Sequence, residues 1–230
     1  MTRLATMNVE TARFNMIEQQ IRPWEVLDPA VLTLLATVRR EDFVSPAMRA
    51  LAFVDTQIPL LPGQPDGPRM LEPKLEARLL QDLGVQRHEK VLEIGTGSGF
   101  MAALLAHRAM QVVTLECRPE LARRARENLR RAGLTDVQVL EVSAAEGARG
   151  LPGEAPFDVI VLSGSVAEVP RALLEQLRIG GRLIAIVGDL PIMRARLYTR
   201  VDDSSWSDRE LFDTVAPRLE GFAEPTRFRF

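Results

Sequence analysis

The segment Val91-Leu92-Glu93-Ile94-Gly95-Thr96-Gly97-Ser98-Gly99-Phe100 constrains this chain more than any other. A short apolar strand carries an acid near its end and runs into three glycines alternating with small polar residues. Such a loop lets the backbone approach a nucleotide-like ligand, because a β-carbon at any of the three positions would fill that space. A tight strand-to-helix turn with no ligand accounts for the same glycines, and both readings stay open at this point.

Spacing separates two ligand classes. The dinucleotide fingerprint orders its glycines as G-x-G-x-x-G, and its third position here is Phe100. The chain instead reads E-x-G-x-G-x-G. A carboxylate at Glu93 repels a pyrophosphate and suits a cation, which points to S-adenosyl-L-methionine, with its ammonium, its sulfonium and no phosphate. Twenty-one residues after Gly95, Glu116 closes the apolar run Val112-Val113-Thr114-Leu115. An acid there accepts the hydroxyls of a ribose. It serves both ligand classes, and a solvated strand-end acid is the plain alternative.

The rest of the chain predicts an α/β fold: a doubly wound, mostly parallel Rossmann-like sheet, a terminal antiparallel hairpin and an N-terminal helical appendage. Strands are expected at 90–94, 111–116, 137–142, 157–162 and 181–187, with helices at 98–107, 119–132 and 170–178. The tail 192–213 reads as two strands joined through Asp202-Asp203-Ser204-Ser205. Ahead of the glycine loop, Phe14, Ile17 and Ile21 recur at helical spacing, and Asp28-Pro29 reads as an N-cap followed by a proline at the first helical position. A loop rich in Pro and Gly follows, with Pro65-Asp66-Gly67 as its turn signal, and then a helix carrying Leu75, Leu79, Leu80 and Leu83. We expect residues 1–72 to form a helical appendage with a substrate loop, and 73–230 the ligand-binding core.

Composition excludes several functions. With 29 basic and 31 acidic residues, net charge −2, no global field favours nucleic acid or anionic lipid. The arginine-rich stretch 123–131 has an apolar face through Leu121, Ala122, Ala125 and Leu129 and no interleaved aromatics, so it reads as a solvated helix face. Cys117 is the single cysteine, and His88 and His107 are the two histidines, which makes a metal site improbable and both histidines surface residues. No apolar run reaches membrane-spanning length and the first 25 residues lack a signal-type apolar core, so a soluble, cytoplasmic protein without nucleic-acid or membrane partners is expected.

The residues resemble the protein-L-isoaspartate O-methyltransferase family from about position 8 to 222. The resemblance rests on Arg40-Glu41-Asp42-Phe43-Val44, Asp55-Thr56-Gln57-Ile58-Pro59-Leu60, Gly63-Gln64, the glycine loop, Pro119-Glu120-Leu121-Ala122, Phe157-Asp158-Val159-Ile160-Val161, and the stretch from Leu173 through Gly180-Gly181-Arg182-Leu183. It implies methylation of isoaspartyl carboxylates in damaged proteins, with S-adenosyl-L-methionine as donor. Glu93, Gly95, Thr96, Gly97, Ser98 and Gly99 would then wrap the methionine part, Glu116 with Cys117 beside it the ribose, and Ser143 and Ala144 the adenine. Ser163 would line the donor pocket or simply pack a strand end, and Met70 and Leu71 would cover the reacting methyl. Gln64 and Arg69 would face the substrate, although a solvated loop arginine also explains Arg69.

Two departures stand out. The resemblance places a serine, at the reaction centre, where this chain has Leu71, in a loop that carries extra residues at about 65–68. It also places an aspartate for the adenine where Val142-Ser143-Ala144 stands. Asp158 matches the family but reads as structural. These departures keep two alternatives in play: a methyltransferase with another acceptor, small molecule or protein, and a non-catalytic S-adenosylmethionine-binding protein.

Overall fold

The computed structural model describes residues 2–61, 63–64 and 67–224. Seven strands form one sheet in the order β5-β4-β3-β6-β7-β8-β9. The first five of these are β5 (Gln138–Glu141), β4 (Gln111–Glu116), β3 (Lys90–Ile94), β6 (Phe157–Val166) and β7 (Leu177–Asp189), all parallel. β8 (Ile192–Arg200) and β9 (Trp206–Thr214) then add antiparallel to β7. A separate two-stranded ladder pairs β1 (Ile58–Pro59) with β2 (Arg69–Met70).

Side-chain alternation sends the strands' apolar residues into two layers. Val91, Val159, Val161, Ile184 and Ile186 face one core cluster, while Leu92, Ile94, Ile160, Leu162 and Leu183 face the other. The first cluster takes α3 (Pro73–Leu83), α4 (Phe100–Ala106) and α5 (Pro119–Arg131). It also takes the front of the chain: Met16 and Ile21 near the end of α1 (Thr2–Met16), Val31 and Leu35 of α2 (Pro29–Thr37), and Phe43, whose ring meets Phe100 edge-on at 5.4 Å. The second cluster takes Leu173 of α7 (Arg171–Leu174) and the partly buried Ala148, just after α6 (Ala144–Gly147). The front section is thus continuous with the core through shared side chains.

Local chemistry explains most boundaries. Asp28 accepts the Ala30 amide at 2.8 Å ahead of Pro29, a cap of the kind that contributes about 1 kcal/mol. Gly84 closes α3 in the left-handed region, φ +56°. Three expectations are corrected. Phe14 is 62% exposed, because a π-turn at Ile17–Ile21 rotates the buried stripe onto Met16, Ile17 and Ile21. The helix expected at 170–178 ends at Leu174, because β7 already pairs Leu177 with Phe157 and a β-carbon at Gly181 would lie 2.9–3.0 Å from three carbonyl oxygens. β6 runs on to Val166 through a register shift between Val161 and Ser165, so Ser163-Gly164-Ser165 lies within a strand. Of the expected turn Pro65-Asp66-Gly67, Pro65 and Asp66 lie outside the described residues, as do some of the extra residues inferred at 65–68.

The chain leaves β3 for β4 and β5 on one side, then returns to β6 on the other. The carboxyl ends of β3 and β6 therefore flank a topological switch point, where a crevice opens.

Candidate active site

Two adjoining cavities occupy that crevice. The outer one, about 90 Å³, lies between the glycine loop, the ends of β4 and β5 and the tail of the chain. Gly95, Gly97, Glu116, Cys117, Ala144, Ser163 and Arg69 line it, all expected from the sequence. The inner one, about 30 Å³, is lined by Met70, Leu71, Glu93, Thr96, Ser98, Ser163 and Arg69, with Glu76 as an unforeseen acid. Gly95, Gly97, Ser163, Leu60 and Arg69 belong to both walls.

Glu93 and Glu116 sit at the ends of adjacent strands in different surroundings. Glu93 is fully buried; its carboxylate accepts hydrogen bonds from Thr114 Oγ1 at 2.7 Å and Ser163 Oγ at 2.6 Å. Thr114 is its register partner on β4, and Thr96 closes the chain with a 2.6 Å hydroxyl contact. Burial pushes Glu93 up to about 8, outweighing the two hydroxyls that pull it down. Glu116 accepts backbone amides instead: Gly97 N–H at 2.8 Å and Arg118 N–H at 2.9 Å. Burial raises this carboxyl too, with those amides opposing. Glu116 pins the loop and still lines the outer cavity, where its remaining acceptor capacity suits a diol. A buried acid between neutral hydroxyls suits a cation, which restores the charged form. The chemistry of the lining thus suits the donor expected from the sequence.

The glycines are right in position but their absent β-carbons are accounted for within the chain. Gly95, Gly97 and Gly99 all lie at positive φ, +95°, +55° and +85°. A β-carbon at Gly95 would come within 2.7 Å of Leu219 Cδ2, one at Gly97 within 3.1 Å of Leu60 Cδ1, and one at Gly99 within 3.3 Å of Ala125 and Leu129 on α5. Gly99 serves helix packing and lines neither cavity. Ser143 is likewise occupied elsewhere: it caps α6 in a reciprocal box with Glu146, its hydroxyl donating at 2.6 Å and its amide at 2.8 Å. Its neighbours Val142, Ala144 and Gly147 form the outer wall in its place. Gln64 is exposed and lines neither cavity. Cys117 is half-buried, its thiol pushed up to about 11 by burial, so it enters as a neutral wall group.

Leu71 is buried, and its carbonyl accepts Arg40 Nη2 at 2.6 Å. Arg40, itself buried, pairs with Glu76 and lies over the Phe100 ring at 5.0 Å. Burial raises Glu76 to about 7 despite Arg40. This pair braces the apolar wall formed by Met70, Leu71, Phe100 and Met101. Asp158 is structural: it accepts the Lys90 amide at 2.7 Å and pairs with Arg178. In the arginine-rich helix, Arg124 bonds the Leu60 carbonyl and Arg126 that of Val139. Among the described residues, no cluster of three or more His, Cys, Asp or Glu is placed to hold a metal ion, and no helix is long and apolar enough to cross a membrane.

Sequence reasoning missed the tail. Pro217, Arg218, Leu219 and Glu220 form one side of the outer cavity. They are stitched to β6 by Ser165 N–H to Pro217 O, 2.7 Å, and Leu219 N–H to Ser165 O, 2.9 Å. Gly221 then crosses so close to Ala144 that a β-carbon would lie 2.1 Å from its carbonyl oxygen. A proline and a glycine bracketing Leu219 after the last strand were the available signal.

A doubly wound sheet with strand-end acids at its switch point has the architecture of Rossmann-like methyltransferases. The family described as Protein-L-isoaspartate(D-aspartate) O-methyltransferase (PCMT) matches residues 11–215. A protein-L-isoaspartate O-methyltransferase of Methanoculleus marisnigri is 42% identical over 176 residues, 76% of this chain and 77% of that protein. One from Marinobacter nauticus is 38% identical over 199 residues, 86% and 88%. A solved protein-L-isoaspartate O-methyltransferase shares the fold at TM-score 0.74 and 23% identity, over 94% of this chain and 66%, just under two thirds, of that one. A Plasmodium falciparum protein in complex with S-adenosyl-L-homocysteine shares it at TM-score 0.72 and 18% identity, over 92% and 98%. The chain belongs to the PCMT family.

Proposed function

We propose that this protein is an S-adenosyl-L-methionine-dependent carboxyl methyltransferase that acts on isoaspartyl residues of damaged polypeptides, a repair reaction in the cytoplasm. The observation that carries the reading is family membership, with relatives of that name near 40% identity across about three quarters of the chain. The donor supplies a methyl on a sulfonium, which passes to a carboxylate oxygen while sulfur keeps the electron pair, leaving an ester and a neutral thioether.

The chain's own residues need do little covalent work. An isoaspartyl carboxylate is already ionised at neutral pH, so no general base is required, and rate comes from alignment and exclusion of water. Glu93 faces the cationic end of the donor and Glu116 the ribose. Ala144 and Val142 pack on the base, and Met70 and Leu71 close the inner wall around the reacting group. Arg69 lines both cavities and suits an incoming carboxylate.

Leu71 favours a second reading, a methyltransferase of the same scaffold with a less charged acceptor, because it replaces a hydroxyl by a buried apolar side chain. Losing one hydrogen bond to a charged group is worth about 1.5–3 kcal/mol, roughly ten- to a hundredfold in rate. Labelled donor with an isoaspartyl peptide separates the readings. A base-labile methyl ester is expected. Donor binding with transfer only to other acceptors would establish the second reading, and binding without any transfer a non-catalytic role.

A further inference from the structure

We propose that Arg40 is a positioning residue for the transfer step: its buried guanidinium fixes the distance between the wall that meets the acceptor and the loop that meets the donor. The inference rests on the carboxyl-transfer reading above and names a residue that acts on that site from behind it, since Arg40 lines neither cavity.

Four segments distant in the chain converge on this one side chain. Arg40 opens the short helical turn Arg40–Asp42 in the front section. Its Nη2 donates to the Leu71 carbonyl at 2.6 Å, its Nη1 pairs with Glu76 in the first turn of α3, and its Cζ lies 5.0 Å from the centroid of the Phe100 ring. Leu71 and Glu76 line the inner cavity on one side; Phe100, the residue after Gly99, lines it at the end of the glycine loop. Phe43, three residues on from Arg40, meets the same ring edge-on at 5.4 Å, so Phe100 is held from two directions. A guanidinium suits this task. It presents donors in fixed directions and a flat face that stacks, so a shift of either wall breaks a contact.

Stability alone is a weak reason for the arrangement. Arg40 and Glu76 are both buried, and taking two charges out of water offsets much of their attraction, so well-packed apolar replacements of such pairs are often as stable. Arg40 Nε is also buried without a hydrogen-bond partner among the described residues, an uncompensated desolvation. What the pair supplies is geometry. Methyl transfer needs an in-line approach at close range, and a misplacement of about 1 Å costs on the order of a hundredfold in rate.

Two variants separate positioning from packing. Arg40→Lys keeps the charge and loses the fork; Arg40→Met combined with Glu76→Leu removes both charges together. With labelled donor and an isoaspartyl peptide, we expect kcat to fall about a hundredfold in both. S-adenosyl-L-homocysteine should bind Arg40→Lys within about threefold of wild type, the split expected when only the transition state loses an interaction. The double variant should melt within a few degrees of wild type, which a merely structural pair would not allow. Amide exchange read by mass spectrometry tests the brace without turnover: Arg40→Lys should speed exchange in the peptides covering 69–76 and 96–104 together. A kcat within about threefold of wild type in both variants, or exchange that quickens in only one of the two segments or in neither, would overturn the proposal. Absence of ester from the wild-type protein would sink the transfer reading instead, and the exchange result would still decide whether Arg40 ties the two walls.

Discussion

Glu93 and Glu116 lie near the carboxyl ends of neighbouring parallel strands, two residues of register apart, and burial raises both, yet the fold gives them different partners. Glu93 is sealed among side-chain hydroxyls and pushed toward neutrality, whereas Glu116 grips backbone amides and keeps a face on the outer cavity. Identical chemistry at the two strand ends therefore yields a tunable charge in one case and a rigid clamp in the other. The difference comes from depth: the neighbour available to Glu93 is a threonine on the next strand, and to Glu116 the turning backbone of the glycine loop.

Breaking the clamp should have the largest effect. Glu116→Ala removes the acceptor of two backbone amides, each bond to a charged group being worth about 1.5–3 kcal/mol. Affinity for S-adenosyl-L-homocysteine by calorimetry should fall by about a hundredfold, and Glu116→Gln should recover part of it. A loss under threefold would show that the loop holds its shape without this residue.

Next comes the wall between the acids and the acceptor. Leu71→Ser restores a hydroxyl at the inner cavity, and isoaspartyl turnover per folded molecule should rise about tenfold. The same change empties a buried leucine site, costing about 3 kcal/mol, or roughly 6–12 °C of Tm for a domain of this size. An unchanged rate with that loss of Tm would assign the family departure to the loop instead.

The smallest effect is on stability against pH. Glu93 and Glu76 hold a proton in the folded chain up to about 8 and about 7, against an ordinary carboxyl value of 4.5. The folded state thus binds more protons between those limits, so their contribution is fully present below pH 4.5 and is lost as pH rises toward 8. Tm should drop by several degrees from pH 5 to pH 8, and Glu93→Gln should make the slope shallower, leaving the part that Glu76 contributes. A flat wild-type profile would remove the depth argument for Glu93.

The two regions were also unequally legible. β3 and β4 were bounded to the residue, because each is an apolar run ended by a local signal, the glycines after Ile94 and Pro119 beyond Glu116. The clamp end follows from those boundaries alone. The reason for Gly95 was hidden: Leu219, its neighbour in space, lies 124 positions away, and no local period records such a pairing. Ser143 carries two signals. The family resemblance implies adenine contact, and Glu146 three residues on completes a capping box, a pattern also present in the sequence. The helix expected at 170–178 ends at Leu174 because Leu177 already pairs with Phe157 as the start of β7, a contact 20 positions apart that no local period records.

The central claim is that the inner pocket awaits a cation. Calorimetry of S-adenosyl-L-homocysteine at pH 7, repeated in buffers of different ionisation enthalpy, counts protons exchanged on binding. The account predicts binding with net proton release, as the ligand's ammonium draws Glu93 into its charged form, and no release in Glu93→Gln. Tight binding of NAD with indifference to S-adenosyl-L-homocysteine would contradict it.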